Sequence, residues 1–147
     1  MSPPLKAWVE ETALLFEGLG LPRMAGRVLA WLLVADPPEQ TLKEIGEALG
    51  VSKGALSPAL HLLLRLGLVE RVRRSGERSD RYLVRSEAWK RLLMEKARGM
   101  GLYREAAEKG LALLPPERGE RLREMRRLYA FFERALPELL RRYEEEA

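Results

Sequence analysis

Three side chains spaced four residues apart could do the most specific chemistry in this sequence. Ser57, His61 and Arg65 lie in a segment of helical periodicity, so they line up along one helix face. A hydroxyl, an imidazole and a guanidinium offer hydrogen-bonding groups and a positive charge, which suit base edges in a DNA major groove. His61 is the only histidine, and no Asp or Glu lies within that helix to orient it, so catalysis is not expected there.

Small and polar residues open the same helix. Ser52 can cap it, and Lys53 and Gly54 follow where a backbone must come close to a partner. Pro58 lies further along, where a proline removes a backbone donor and usually kinks the chain. The alternative is that Ser57 is the cap and Pro58 the first helical residue. The opposite face is apolar and is expected to point into a core: Leu56, Ala59, Leu60, Leu63 and Leu64.

Arginines cluster in a polar turn that follows this helix. Gly67 ends the helix, and residues 68–72 and 81–84 predict two strands joined by a turn with Gly76 near its tip. Guanidinium groups on such a hairpin suit phosphates or a minor groove. The alternative is that they form only the solvated edge of a small sheet. The hairpin cations proposed to contact DNA are Arg73, Arg74, Arg78 and Arg81.

The positive charge of the chain is concentrated in this region. Among its 147 residues are 26 Lys and Arg and 22 Asp and Glu, a formal net charge of +4. Residues 41–85 carry nine cations and five anions, whereas residues 1–40 carry three and five, and residues 86–147 carry fourteen and twelve. The largest surplus therefore lies in the segment assigned to a polyanion, which concentrated positive charge attracts at a distance.

Caps and apolar periodicity predict the helices that position these residues. Thr41 and Glu44 form a capping box at the start of a short helix. Gly50 ends that helix and leads through a turn into the helix of Ser57. Further helices are predicted over residues 4–19, 22–35, 87–113 with Ser86 as their cap, and 117–145.

This order of helix, turn, helix and arginine-rich hairpin resembles the winged helix-turn-helix of MarR-type bacterial regulators. Gly20-Leu21-Pro22-Arg23 precedes the motif and Val51-Ser52-Lys53-Gly54 opens its second helix, which looks most like the GbsR branch. A proline near position 58 also occurs in PadR-type regulators. The resemblance covers residues 14–84. It implies a sequence-specific regulator, a repressor rather than an activator, that binds double-stranded DNA as a homodimer on a near-palindromic operator.

The fold class expected is mainly α with a small β-hairpin wing, a winged helix-turn-helix with extra terminal helices that form a dimer interface. We expect one domain over residues 1–147, with an N-terminal helix in 1–21, the winged helix in 22–85 and dimerisation helices in 86–147. The last helix carries a heptad seam that a second copy would cover, the alternative being that it folds back on its own chain. The seam residues are Leu122, Met125, Tyr129, Phe132, Leu136, Leu139 and Tyr143.

Four aromatic residues raise a further alternative. Trp8, Trp31, Trp89 and Tyr103 could line a pocket for a small effector, for instance a cation held over ring faces. Aromatic residues at helical spacing are also typical of an ordinary core.

Composition excludes several kinds of site. There is no cysteine, and one histidine is poor material for a transition-metal site, so no cofactor or metal is expected. No long apolar run and no signal-peptide pattern is present, so we expect a cytoplasmic protein with no membrane partner. Asparagine is absent and Gln40 is the only glutamine, which favours a thermophilic source or a biased genome.

Two classes of function remain. The leading one is the DNA-binding regulator, and the rival is a winged-helix adaptor that binds other proteins without specific DNA binding. An enzyme is not expected, because no nucleophile, metal or phosphate-loop constellation is present.

Overall fold

Six α-helices and three short strands make up the structure, a computed structural model that describes residues 1–147. The chain divides into two compact units, Met1–Ala88 and Trp89–Ala147. The elements in chain order are α1 (Pro3–Glu17), α2 (Arg23–Val34), β1 (Gln40–Thr41), α3 (Leu42–Leu49), α4 (Lys53–Arg65), β2 (Val69–Val72), β3 (Arg81–Val84), α5 (Ala88–Leu111), a 3₁₀ turn (Pro116–Arg118) and α6 (Glu120–Glu146). This is the mainly helical winged-helix class that the sequence predicts.

A glycine lets the first two helices pack closely. A Cβ atom on Gly26 of α2 would lie 2.9 Å from the carbonyl oxygen of Ala13 in α1, so any larger residue would force the helices apart. Around this crossing the side chains of Val9, Val28 and Leu29 are completely buried. α2 also packs on α3 and α4, so it carries the core of the first unit.

Local caps set the ends of α3 as the sequence predicts. The Glu44 N–H donates to Oγ1 of Thr41 over 3.1 Å, and Gly50 ends the helix with a φ of +68°. The carboxylate of Glu44 departs from the usual capping box, in which it accepts from the backbone. Its Oε1 instead accepts from the Thr41 hydroxyl (3.0 Å) and from the guanidinium of Arg81 (3.3 Å). The start of α3 is therefore tied to the third strand.

The helix of Ser57 begins at its earlier candidate cap. Oγ of Ser52 accepts from the Ala55 N–H (3.3 Å), and α4 continues through Pro58 to Arg65. This excludes the alternative in which Ser57 is the cap. The predicted apolar face is buried at four of its five positions, and the fifth, Leu64, is half-buried.

The sheet has a third strand that sequence reasoning missed. β2 and β3 form the expected hairpin, with Val69 opposite Val84 and Val72 opposite Arg81. β1 pairs antiparallel with the other edge of β3, giving the order β1-β3-β2. The predicted two-stranded hairpin is therefore confirmed, but the third strand was missed, because a strand of two residues leaves no alternating pattern in the sequence.

The single glutamine is a buried part of this sheet. Gln40 is 3% exposed, and both ends of its amide are hydrogen bonded. Its Oε1 accepts from Nε1 of Trp31 (3.2 Å) and its Nε2 donates to the carbonyl of Pro37 (2.9 Å). The amide thus joins α2 to the segment that leads into α3.

The second unit is built from α5 and α6. Nε of Arg104 donates to Oε2 of Glu133 (2.6 Å), and the ring of Tyr103 stacks on that of Tyr129 with centroids 4.8 Å apart. The hydrogen bond from Arg104 lowers the pKa of Glu133 below its ordinary value. No helix of the chain is both long and apolar enough to span a bilayer.

The predicted start of α5, residue 87, was one residue too early. Ser86 was expected to cap this helix, but it lies in a turn and the helix begins at Ala88. Glu87 between them has a φ of +64°, a backbone conformation that sequence patterns do not predict for glutamate.

Candidate nucleic-acid interface

The open face of α4 is exposed as the sequence predicts. Lys53, Gly54, His61 and Arg65 are exposed, and Ser57 between them is half-buried. The side chains of Lys53, His61 and Arg65 make no ion pair within the chain. The face therefore offers an imidazole and two cations to a partner.

Two features of α4 shape the amino-terminal part of this face. The hydroxyl of Ser57 donates to the carbonyl of Lys53 (3.1 Å), so its lone pairs stay available to an outside donor. Pro58 is exposed on the helix and has no N–H, so the carbonyl of Gly54 lacks the donor that residue 58 would normally supply. Acceptors and cations thus lie together at this end.

The turn between α3 and α4 holds this face in position. A Cβ on Gly46 would lie 3.0 Å from the carbonyl oxygen of Val51 and 3.4 Å from Cδ1 of Leu56, so the two helices meet where α3 has no side chain. Leu56 and Leu63 are completely buried on the inner side of α4. The outer side is fixed in space by this packing.

Most hairpin arginines are already paired with carboxylates. Nε of Arg73 lies 2.9 Å from Asp80, and the neighbouring Arg71 lies 3.8 Å from the same carboxylate. Arg74 pairs with Glu39 over 3.1 Å. Arg78 is exposed and makes no ion pair. The wing, defined as residues 69–84, therefore presents one free guanidinium and several paired ones.

Arg81 differs from the other hairpin arginines because it lies at the base of the wing. Its side chain is 16% exposed and donates to both oxygens of Glu77 (2.8 and 3.2 Å). It also donates to Glu44 and to the carbonyl oxygen of Glu39, both over 3.3 Å. The hydrogen bond with Glu77 raises the pKa of Arg81 and lowers that of Glu77. Arg81 thus joins β3 to α3 and to the start of β1.

Three residues of this surface escaped the sequence reasoning. Glu39 reaches Arg74 only because β1 lies beside β3, a long-range pairing with no local signal. Arg71 lies over the ring of Tyr82, its guanidinium carbon 5.9 Å from the centroid. Lys43 lines, with Lys53, an open concavity at the turn between α3 and α4. Its exposed position on an amphipathic helix was the available signal.

Comparison with known proteins assigns the chain to a family. Residues 19–78 match the family model described as MarR family, and residues 87–146 match the one for MmpR5-like MarR family transcriptional regulators. The chain is 37% identical over 146 residues to the HTH-type transcriptional regulator MmpR5 of Mycobacterium tuberculosis, covering 97% of this chain and 88% of that protein. The chain belongs to the MarR family of transcriptional regulators.

A solved structure agrees with this assignment over nearly the full length. The crystal structure of a transcriptional regulator superposes with a TM-score of 0.80 at 37% identity, covering 97% of this chain and 99% of the other. The first MarR match spans α2, β1, α3, α4 and β2, and the second spans α5 and α6. The family resemblance predicted from residues 14–84 is therefore confirmed, and it extends to the terminal helices.

The apolar seam of α6 in this MarR-family chain is partly covered by α5 of the same unit. Leu122 lies against Gly110, where a Cβ would be 2.7 Å from Cδ1 of the leucine, and Tyr129 stacks on Tyr103. Towards the carboxyl end the seam opens, with Phe132, Leu139 and Tyr143 exposed, and two large apolar neighbours are exposed beside it: Leu128 and Phe131. α6 has no buried residue at all.

The four aromatic residues proposed for an effector pocket fall in different units. Trp8 and Trp31 belong to the first, and Trp31 is held by Gln40. Trp89 and Tyr103 belong to the second, and Tyr103 is stacked on Tyr129. No group of three or more His, Asp or Glu side chains is placed to hold a metal ion.

Proposed function

We propose that this MarR-family protein binds double-stranded DNA sequence-specifically and represses transcription by competing with polymerase. The observation that carries the proposal is the exposed face of α4, with unpaired Lys53, His61 and Arg65, beside an arginine-rich wing. An α-helix fits the major groove of B-form DNA, where each base pair presents a distinct pattern of donors and acceptors. A protein of this kind acts on the chromosome and so in the cytoplasm.

Base edges and backbone are read by different side chains in this proposal. Ser57, His61 and Arg65 face the bases, because they lie along one line of α4. Gly54 and Pro58 keep that line close to the groove floor by adding little bulk. Ser52 and Lys53, at the start of α4, contact phosphates. The wing arginines add backbone or minor-groove contacts: Arg73, Arg74 and Arg78 directly, and Arg81 by holding the wing in place.

A homodimer completes the proposed DNA-binding unit. The exposed carboxyl-terminal half of the seam on α6 supports it, because large apolar side chains arranged in a row are normally covered by another surface. A twofold axis presents two copies of α4, and half-sites for such dimers lie about one DNA turn apart. The operator is accordingly near-palindromic.

The exposed rings support one further part of the proposal, a response to a small organic cation. Each unit has its own exposed ring, Trp8 in the first and Tyr103 in the second, each more than one-third exposed, and an aromatic face attracts cations. A set of quaternary ammonium compounds should raise the melting temperature of the protein. If none of these compounds raises the melting temperature, the proposed effector response is wrong, and the DNA-binding proposal is unaffected.

Selection of bound duplexes from a random pool tests the main proposal directly. The expected result is one enriched, near-palindromic sequence, with binding that weakens as salt rises by a log–log slope of about −0.9 per phosphate neutralised. Retention of duplexes without any enriched sequence would contradict specific regulation. If the protein instead retained no DNA and captured a different protein through α6, the adaptor function would replace the present one.

A further inference from the structure

Arg74 is held by a carboxylate at the place where the wing would meet DNA. Both Nε and Nη2 of Arg74 lie 3.1 Å from one oxygen of Glu39. The pair is accessible, with the Arg74 side chain 47% and that of Glu39 30% exposed. A carboxylate oxygen and a phosphate oxygen are both anionic acceptors, and a guanidinium binds either one by charge-assisted hydrogen bonds. A nearby phosphate can therefore replace the carboxylate.

The backbone holds Glu39 in place independently of this ion pair. The next residue, Gln40, is buried and belongs to β1, which pairs with β3. Nη1 of Arg81 also donates to the carbonyl oxygen of Glu39. These contacts use the carbonyl of residue 39 and the neighbouring residue 40, and they leave the Glu39 side chain free to reach the wing. A change of that side chain should consequently leave the sheet intact.

Not every wing arginine is restrained in this way. Arg78 has no carboxylate partner, and Arg73 shares the carboxylate of Asp80 with Arg71, each contacting a different oxygen. Among the wing arginines above the base held by Arg81, only Arg74 pairs with a residue outside the hairpin, thirty-five positions earlier in the chain. Its availability to DNA therefore depends on a residue that belongs to neither strand of the hairpin.

We propose that Glu39 is an internal competitor of the DNA phosphates for Arg74. This inference rests on the DNA-binding function proposed above. When the wing meets a duplex, Arg74 exchanges the Glu39 carboxylate for a phosphate, and the released carboxylate remains near the negatively charged backbone. Glu39 thereby weakens binding to every duplex whatever its sequence. It limits the sequence-independent binding that would otherwise hold the protein on the excess of non-specific sites in a genome.

A double-mutant cycle tests the competition. The probe is a fluorescent duplex of mixed sequence and about 30 base pairs, long enough for two half-sites one turn apart. Binding is followed by fluorescence anisotropy across a salt series. Glu39→Gln should tighten binding by about two- to fivefold, the range that an exposed ion pair supports. Arg74→Gln should weaken binding, and adding Glu39→Gln to it should change nothing further, because the competition needs both groups.

Glu70→Gln is the matched control. Glu70 lies on β2 of the same wing, opposite Leu83, and makes no ion pair, so its loss removes one negative charge without releasing an arginine. If Glu39→Gln and Glu70→Gln raised the affinity for the duplex equally, the effect would come from net charge alone, and the inference would be overturned. A gain from Glu39→Gln that persists in the Arg74→Gln background would overturn it as well.

Binding of the wild-type protein distinguishes the competition for Arg74 from the DNA-binding function on which it rests. If the wild-type protein binds the duplex and Glu39→Gln binds no more tightly, the competition is wrong and DNA binding stands. If the wild-type protein binds no duplex at all, both are wrong. Unchanged melting temperatures show that the variants are folded, which the backbone contacts of residue 39 lead us to expect.

Discussion

Arg81 and Arg78 show how two residues of one type, three positions apart, can serve different ends. Arg81 is held by Glu77, Glu44 and a backbone carbonyl, so it stiffens the base of the wing. Arg78 makes no ion pair and faces solvent. In the composition, each of the two counts equally as one positive charge. Their surroundings separate a positioning residue from one that is free to bind a phosphate.

Replacing Glu77 by Gln should make the stability of the wing less dependent on pH. The Arg81 guanidinium lowers the pKa of Glu77 in the folded protein, so this carboxylate contributes stability at neutral pH. That contribution is lost as the pH falls through the lowered pKa, because a protonated Glu77 no longer pairs with Arg81. The melting temperature of Glu77→Gln should therefore lie below wild type at neutral pH and approach it in acid. A gap that widens on acidification would contradict this sign.

Base readout and backbone contact should separate when single residues are changed. His61→Ala should relax the preference between the selected site and its single-base variants by roughly 1 kcal/mol or more. Arg78→Gln should weaken binding to all sequences alike and reduce the salt slope by about 1. Competition titrations with both duplexes at several salt concentrations measure the two effects. Equal losses of preference in both variants would refute the assignment of roles.

At the scale of elements, local chemistry was predictable and long-range pairing was not. The caps of α3 and α4 could be predicted because Thr41 and Ser52 bond to N–H groups only three residues away. The exposed and buried faces of α4 followed from periodicity, even with Pro58 inside the helix. β1 could not be predicted, since two residues show no alternation and their partner strand lies forty positions further on. The role of Glu39 was missed with it.

The crossing of α1 and α2 can be tested with a pair of glycine substitutions. Gly26→Ala should lower the free energy of unfolding by about 1–2 kcal/mol, because the clash with the Ala13 carbonyl outweighs the better helix propensity of alanine. In Gly99→Ala, the added Cβ meets nothing within 4 Å, so the same change in α5 should stabilise by about 0.5–1 kcal/mol. Denaturant titrations at one protein concentration measure both. Stabilisation by Gly26→Ala would show that the helices can separate cheaply.

At the scale of the whole molecule, α6 is the element whose environment is least complete. Its twenty-seven residues include none that is buried, although Phe132 and Leu139 are large and apolar. The amino-terminal part is better covered, by Gly110 and by Tyr103 of α5. The heptad spacing that suggested a dimer is therefore matched by exposed apolar surface mainly towards the carboxyl end. Sequence periodicity could mark the seam but not which half its own chain covers.

Leu139→Glu should weaken the proposed dimer without unfolding the chain. Leu139 is 51% exposed in the single chain, so a charge there costs little until a second copy covers it. Dimer dissociation should increase by at least about tenfold, because each copy loses an apolar contact and would bury a carboxylate. Sedimentation should shift towards the 16.8 kDa species. Arg127→Glu, on the opposite face of α6, is the control and should leave the dimer intact; a monomeric wild type would refute the interface.

The position of Gln40 has a consequence for the chemical ageing of the protein. The chain contains no asparagine, and its one side-chain amide is shut away from water with its oxygen and nitrogen both engaged. Deamidation, a common way in which proteins acquire negative charge during prolonged heating, has almost no target here. Isoelectric focusing after long incubation in warm buffer should show one sharp band. A ladder of more acidic forms would mean that the segment around Gln40 opens to solvent far more often than its packing implies.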